Sequence, residues 1–411
     1  MPFASSSVEQ LRYIPEVTFG VTPNTGNCRN LKMTGETLDY QISKDASKEI
    51  NATRSVSSVI PLTANASGAV NGELQYQEYD ILMAAALQNA WTVFGTNGVS
   101  GVAFSSTAGG LAATSITASA APTGADAFTN LQKGQWFRLT APGDANNDGK
   151  IVRVSATAAP TTTVITLDAN TPLTLNAGTV ANCKIATSRL TNGTTQTSFS
   201  LERGNADIST YMCYAGMVPN KMSINEASAS FTTISFDFMG KAATNSATTL
   251  LPGTPVASYT FDSHSGVSGV TCQLWEGGAP ITGTFVKSIS LDYDNSCRSQ
   301  EALCTLGAIG IGNGTINCSG KLSVYFANAA LFTKFKANTN SSIIFSSVDG
   351  SGNGYIFTLP VVNIKSWKTN SSAKDQDMMV DIEFVALRDA SNAVPALQQV
   401  IFVDRVGTAT S

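Results

Sequence analysis

The chain has 411 residues, and its 25 Lys and Arg against 29 Asp and Glu give a formal net charge of −4. That length supports two or three packed units, and an acidic balance with only 13% charged residues excludes a basic surface of the kind that grips phosphates. The single histidine, His264, excludes a His-rich zinc site and leaves any Ser-His-Asp triad hanging on one residue; its polar, Gly-containing surroundings read as a solvated loop.

Met1 to Ser7 has neither a basic nor an apolar region, so no signal peptide is expected. No apolar run approaches the ~18 residues of a membrane span, so no membrane partner is expected. The seven cysteines, Cys28, Cys183, Cys213, Cys272, Cys297, Cys304 and Cys318, form no C-x-x-C pair. They are expected to be reduced and mostly buried, in a chain made in a cytoplasm.

Most of the chain alternates apolar and polar residues with β-branched and aromatic enrichment, which is the strand signal. Asp80 precedes the Ala- and Leu-rich Ile81–Leu87, which predicts a helix of about three turns with Asp80 as its N-cap. Ser105–Thr129 is rich in Ala, Gly, Ser and Thr and reads as a linker and first edge. Three strands follow, at 134–139, 150–154 and 163–167. Between the first two, Asp144-Ala145-Asn146-Asn147-Asp148-Gly149 opens like a calcium loop, but its twelfth position is Ser155 where a bidentate Glu is needed. An Asx-turn hairpin accounts for the same residues, so no metal is expected. Strands recur at 231–238, then a Pro- and Gly-containing stretch at 242–282. Gly307–Gly314 is G-x-x-G-x-G with no helix after it, which is not the dinucleotide spacing; glycines in a bent strand explain it better. Strands at 321–326 and 380–385 flank a second helix, 329–335, with Asn328 before it.

An internal repeat links these elements. Leu38-Asp39-Tyr40 matches Leu291-Asp292-Tyr293, and Gly72-Glu73-Leu74 matches the stretch around Leu322. After the helices, Met217–Ser223 matches Leu359–Lys365 and Ile234–Phe238 matches Val380–Phe384, at a spacing about 100 residues shorter. The first copy therefore carries an insertion. The expected organisation is a first module over 1–95 and 196–241, a small inserted β-barrel or sandwich at 96–195, a linker at 242–282, and a second module at 283–411. The fold class is mainly β: two tandem β-sandwich modules, each flanked by one short α-helix, plus the insert.

Several stretches resemble the tail tube proteins of bacteriophages with long, non-contractile tails. They include Ile14–Pro23, Leu31–Tyr40, Gly216–Asn220, Phe236–Lys241, Gly307–Gly312, Leu322–Phe326 and Asp377–Val380, so the resemblance spans nearly the whole chain. It implies a β-sandwich that closes into rings, the rings stacking into a hollow conduit for the genome. It implies a virion tail location after assembly in the host cytoplasm. The implied partners are further copies of the chain, tape measure protein inside, and terminator and distal tail proteins at the ends. DNA would slide through the lumen without specific binding, which a mildly acidic protein suits. Two modules per chain make a trimeric ring with pseudo-sixfold symmetry the favoured count and a hexamer its rival. The insert would decorate the outside.

No catalytic residue and no cofactor is expected; nothing marks the paired carboxylates a carbohydrate-acting tail enzyme would need. The other class weighed is a secreted or surface-exposed β-domain adhesin, which the Ser, Thr, Asn and Gly richness suits and the missing signal peptide does not. The contact residues expected between rings are Lys44, Asp45, Lys48, Glu49 and Arg54 on one long hairpin, with Asp294, Arg298 and Glu301 on its counterpart. Their mixed signs suit a register-setting electrostatic contact.

Overall fold

The computed structural model describes residues 3–95, 102–105, 112–141, 144–180, 183–266, 274–281, 285–326, 330–370, 374, 377–390 and 399–407. Cys272 and the Asn328 cap lie outside them. The main body is built from β1 (Gln10–Pro15), β2 (Arg29–Leu31), β3 (Asp39–Ala46), β4 (Val59–Glu73), α1 (Asp80–Ala86) and β5 (Thr92–Phe94). After the insertion come β6 (Lys184–Thr191), β7 (Phe199–Asn205), β8 (Thr210–Ala227), β9 (Thr233–Gly240) and β10 (Ala242–Ser246). The rest is β11 (Trp275–Glu276), β12 (Val286–Asp294), β13 (Asn317–Tyr325), α2 (Ala330–Lys336), β14 (Ser341–Val348), β15 (Gly354–Asn370), β16 (Met379–Leu387) and β17 (Phe402–Val406).

A continuous antiparallel central sheet runs β3-β4-β9-β8-β12-β13-β16-β15. Its first four strands and its last four have the same order and direction. Two outer sheets cover one face: β2-β1-β7-β8-β10 over the first four strands, and β11-β14-β15-β17-β6-β5 over the last four. The long strands β8 and β15 belong to two sheets each. β8 pairs with β7 and β10 up to Met217 and with β9 from Val218 onward. β15 pairs with β14 and β17 first and with β16 from Val361 onward. Pro219 and Pro360 sit at the two crossings, where register shifts mean that a missing N–H costs no ladder bond.

The ladders place Asp39 opposite Ser67 and Asp292 opposite Ser319, in line with the Leu38 and Leu291 match. Val70 faces Phe236 and Leu322 faces Ile382, so Leu322 corresponds to Val70 and not to Leu74. A slip of four keeps the same face of a strand, which is why the pattern allowed it.

The main core lies between the sheets. Phe236, Met222, Leu291, Leu322 and Phe384 of the central sheet meet Tyr13, Phe199 and Tyr214 of one outer sheet and Phe345, Phe357 and Leu359 of the other. Both helices are shorter than expected, seven residues each, or about two turns. Asp80 is not the N-cap of α1: Tyr79 holds that position without a side-chain cap bond. Asp80 is buried and instead accepts from the Tyr355 hydroxyl at 2.5 Å and pairs with Arg405. His264 is likewise no solvated loop residue. It is fully buried, with Nδ1 3.2 Å from Ser347 Oγ and its ring against Tyr355. Burial pushes its pKa down to about 4.

Within 96–195, the three expected strands appear at Trp136–Thr140, Ile151–Arg153 and Val164–Thr166, around a core of their own that includes Ile116, Phe128, Phe137 and Ile165. Two features differ from the expected layout. β6 begins against Trp136–Thr140 and then runs on between β5 and β17 of the main body. The 242–282 stretch, expected as a linker, contributes β10 and β11. The Asp144 loop is a turn filled from within: Asp144 accepts from the Asn147 side chain at 2.7 Å, the Asn176 side chain at 3.0 Å and the Asn146 N–H at 3.2 Å. Cys28, Cys183, Cys213 and Cys318 are buried free thiols, Cys297 is half-buried and Cys304 exposed. Burial raises Cys183 and Cys318 to about 12, far from a reactive thiolate.

Candidate assembly surface

Period-two alternation gives the central sheet two unlike faces. On β9, Ile234, Phe236 and Phe238 are buried while Ser235 and Asp237 are only half-buried. On β12 the buried Ile289, Leu291 and Tyr293 alternate with Ser288, Ser290, Asp292 and Asp294. The same parity carries Lys221 and Ser223 on β8, Ser319, Lys321 and Ser323 on β13, Asp381 and Glu383 on β16, and Ser366 and Lys368 on β15. The uncovered face is therefore short polar side chains with carboxylates in excess of ammoniums. Lys221 pairs with Asp292 at 3.1 Å and Lys321 with Glu383 at 2.9 Å. Ser223 Oγ donates to Asp292 at 2.6 Å, and Ser323 Oγ to Asp381 at 2.9 Å. Asp237 titrates above the usual carboxylate range because of burial, with Asp294 and Asp292 adding to the shift against the opposing pull of Lys221.

The sheet has two ends. At one, β3 pairs with β4 alone; at the other, the C-terminal half of β15 pairs with β16 alone, among the described residues. Where the two groups of four strands meet inside the chain, the corresponding strands β8 and β12 pair from Lys221–Asp294 to Ala227–Ser288.

Two long connections leave the sheet beside these strands. The first joins β3 to β4. It carries Lys44 and Asp45 opposite Pro61 and Ile60, and Lys48, Glu49 and Arg54 in the turn beyond, all exposed. Asn51 shapes that turn, its side chain donating to Ser55 O at 2.7 Å and accepting from Thr53 Oγ1 at 2.9 Å, and Arg54 takes a left-handed φ of 58°. The charges are not alone there. Ile50 is 100% exposed, and Val56, Val59, Ile60 and Leu62 are also exposed. In the sequence these apolar residues carry no signal of exposure, since their strand-like alternation looks no different from that of a covered strand.

The second connection joins β12 to β13 and is pinned down. Asn295 is buried and donates to Ala86 O at 2.8 Å. The Cys297 N–H donates to Asn220 Oδ1 at 2.7 Å. Ala308 and Ile311 pack on Val218. Asp294 sits at the end of β12 on the polar face, opposite Lys221. Arg298 bonds to Asn313 O at 2.9 Å within the connection, and Glu301 is exposed further out. The structure thus keeps the first group of five together on one projecting arm and spreads the second group along a folded-back one.

The N-terminal motif is fastened by Glu16, a residue no functional reading had singled out. It accepts from the Gly20 and Gly216 N–H groups and from Ser198 and Ser200 Oγ, all at 2.7–2.8 Å. Among the described residues no group of three or more His, Cys, Asp or Glu could hold a metal ion, and no helix is long and apolar enough to cross a membrane.

A family model described as phage tail tube protein matches residues 6–386, nearly the whole chain. No curated protein matches it. The β-sandwich with its flanking helices and this match along the sequence agree: the chain belongs to the phage tail tube protein family and is a structural protein of the phage virion tail.

Proposed function

We propose that the chain closes into rings of three, that each ring holds six copies of one four-stranded unit, and that stacked rings form the tube through which the genome passes. The observation that carries this is the central sheet, in which the strand order of β3-β4-β9-β8 recurs as β12-β13-β16-β15. Three chains would bring the same number of units to the wall as six single-unit chains, and wall diameter follows strand number. The uncovered polar face lines the bore. Its serines and excess carboxylates suit DNA that must slide, since phosphate contacts would retard it. Tape measure protein occupies the bore before the genome does, terminator and distal tail proteins cap the ends, and assembly takes place in the host cytoplasm. The insert packs on the second outer sheet, on the side away from the polar face, which supports an outward position. The β3–β4 arm, with Lys44, Asp45, Lys48, Glu49 and Arg54 around an exposed apolar Ile50, reaches the next ring. Electron microscopy of the purified protein tests the reading. Threefold symmetric tubes are expected; sixfold symmetry by chain, or discrete particles of an adhesin type, would overturn it.

A further inference from the structure

The insert and the second outer sheet do not close completely against each other. Between them lies a cleft of about 260 Å³, walled by Trp136 and Ile151 of the insert and by Trp275, Ile344, Ser346 and Ile356 of the main body. All six are buried, and all but Ser346 belong to one apolar cluster that joins the two parts. Lys150, Asn170 and Thr171 also line the cleft, closer to solvent. Asn170 Nδ2 donates to Gly278 O at 3.4 Å and so ties the insert to the segment after β11.

Trp136 is 4% exposed, and its indole N–H has no acceptor among the described residues. Trp91 and Trp367 give theirs to Asp80 O at 2.9 Å and Thr369 Oγ1 at 3.2 Å. A buried donor left unpaired costs free energy that a bound acceptor recovers. Among the described residues the cleft has one ammonium, Lys150, and no carboxylate.

We infer that this cleft binds an N-acetylated sugar, its acetamido carbonyl accepting from Trp136 Nε1 and its methyl group lying against the isoleucines. Size, charge and polarity select that class. Small-molecule sites commonly start near ~300 Å³, so the cleft takes a single ring and not a longer ligand. Without a carboxylate it has nothing to hold a cation, and one lysine is too little for the phosphates of a nucleotide. The buried wall asks for an apolar group and a neutral acceptor side by side, which an acetamido group supplies. The ring hydroxyls then meet Lys150, Asn170 and Thr171, which offer both donors and acceptors. A sugar without the acetamido group would press hydroxyls against an apolar wall, and an acetamide without the ring would leave the polar residues unused. The cleft is complete within one chain, so this site stands or falls apart from the ring reading.

Ligand-observed saturation transfer on the full chain tests it with N-acetylglucosamine, glucose and N-methylacetamide. N-acetylglucosamine should be saturated, most strongly at its methyl group, and the other two about tenfold less. The indole N–H signals give a second readout: that of Trp136 should move on addition of N-acetylglucosamine, while those of Trp91 and Trp367 stay. Trp136→Phe keeps a ring against Trp275 and removes only the donor; with its fold verified by circular dichroism, it should bind about tenfold more weakly. Should that variant not fold, Trp91→Phe, Trp275→Phe and Trp367→Phe identify the Trp136 signal by elimination. Glucose or N-methylacetamide saturated as strongly as N-acetylglucosamine, an unmoved Trp136 signal, or a folded Trp136→Phe that binds like the parent would each overturn the site.

Discussion

The two long connections of the central sheet differ in one respect: one folds back on its own chain and the other projects from it. The β12–β13 connection finds its partners at Ala86, Asn220 and Val218 on the preceding strands and helix. The β3–β4 connection comes off the equivalent strands and meets nothing comparable among the described residues; Ile50 at its tip is 100% exposed. An isolated soluble protein gains nothing by exposing such a row of apolar side chains. Under the proposed assembly, the difference is that of a contact before and after it is made, within one molecule.

The outer sheets differ too. The first ends on β10, whereas the second is continued beyond β17 by β6 and β5, so the insert is built into one side only. The joint is a buried ion pair. Arg189 donates from Nε and Nη2 to both oxygens of Asp404 at 2.7 and 2.6 Å, and Asp404 also accepts the Trp136 N–H at 3.0 Å. Trp136 and Trp275 pack edge to face, 5.1 Å between centroids, beside it. Breaking this joint is the largest expected effect. Arg189→Ala leaves a buried carboxylate without its cation, at a cost of about 3–5 kcal/mol, to be read from denaturant unfolding. A loss below about 1 kcal/mol would mean that the insert merely rests on the second outer sheet. For the same reason, excising 100–190 removes most of β6 with Arg189 and is expected to unfold the second outer sheet as well as shed the insert.

An intermediate effect comes from His264, which sits where the segment leaving the first half meets β14 and β15. Its Nδ1 contacts Ser347, and its backbone pairs with Leu74 and Thr232. Its pKa is depressed from the ordinary value near 6.5 to about 4 by burial. The unfolded chain therefore binds a proton between those values while the folded chain does not, and stability falls as pH drops from 6.5 toward 4. The loss reaches about 3 kcal/mol at pH 4. His264→Gln should remove that part of the pH dependence, so unfolding at pH 7 and pH 4 should differ less than in the parent. Equal differences would show that the histidine is charged, or hydrated, in the folded state.

Much of this was legible in the sequence. The alternation on β9, β13 and β16 gave strands and a packed face, and Leu38-Asp39-Tyr40 with Leu291-Asp292-Tyr293 placed two strands in equivalent positions. What was not legible depended on partners far along the chain. His264 is locally polar and becomes core only because Ser347 and Tyr355 close over it. Asp80 looks like a cap until Arg405 and Tyr355 arrive from more than two hundred residues away. Arg189 and Asp404 are 215 residues apart, and no local pattern joins them. On the β3–β4 arm the charges are conspicuous in a chain with few charged residues, and the apolar side chains are not. The exposure of Ile50 and Val56 is visible only once nothing is found to cover them.

The smallest effect is also the sharpest measure of how far the two halves of the sheet are alike. Gly68 and Gly320 occupy corresponding positions, opposite Phe238 and Phe384. A Cβ at Gly68 would lie 2.4 Å from the carbonyl oxygen of Thr37, and one at Gly320 would lie 2.4 Å from the carbonyl oxygen of Ser290 and from the Phe384 ring. Thr37 and Ser290 are themselves corresponding residues, so the same close approach of neighbouring strands is made twice. Alanine at either site must push the strands apart, at about 1–3 kcal/mol. The backbone differs, however: Gly68 has a φ of +147°, a conformation L residues rarely adopt, whereas Gly320 has no such φ. Gly68→Ala should therefore be the worse of the two by roughly 1 kcal/mol. β4 is a neighbour of the open edge strand and β13 lies inside the sheet, so the gap has a second reading that assembly can separate. If strain at Gly68 is the cause, the difference persists in assembled tubes; if it vanishes on assembly, the cause is the missing neighbour beyond β3.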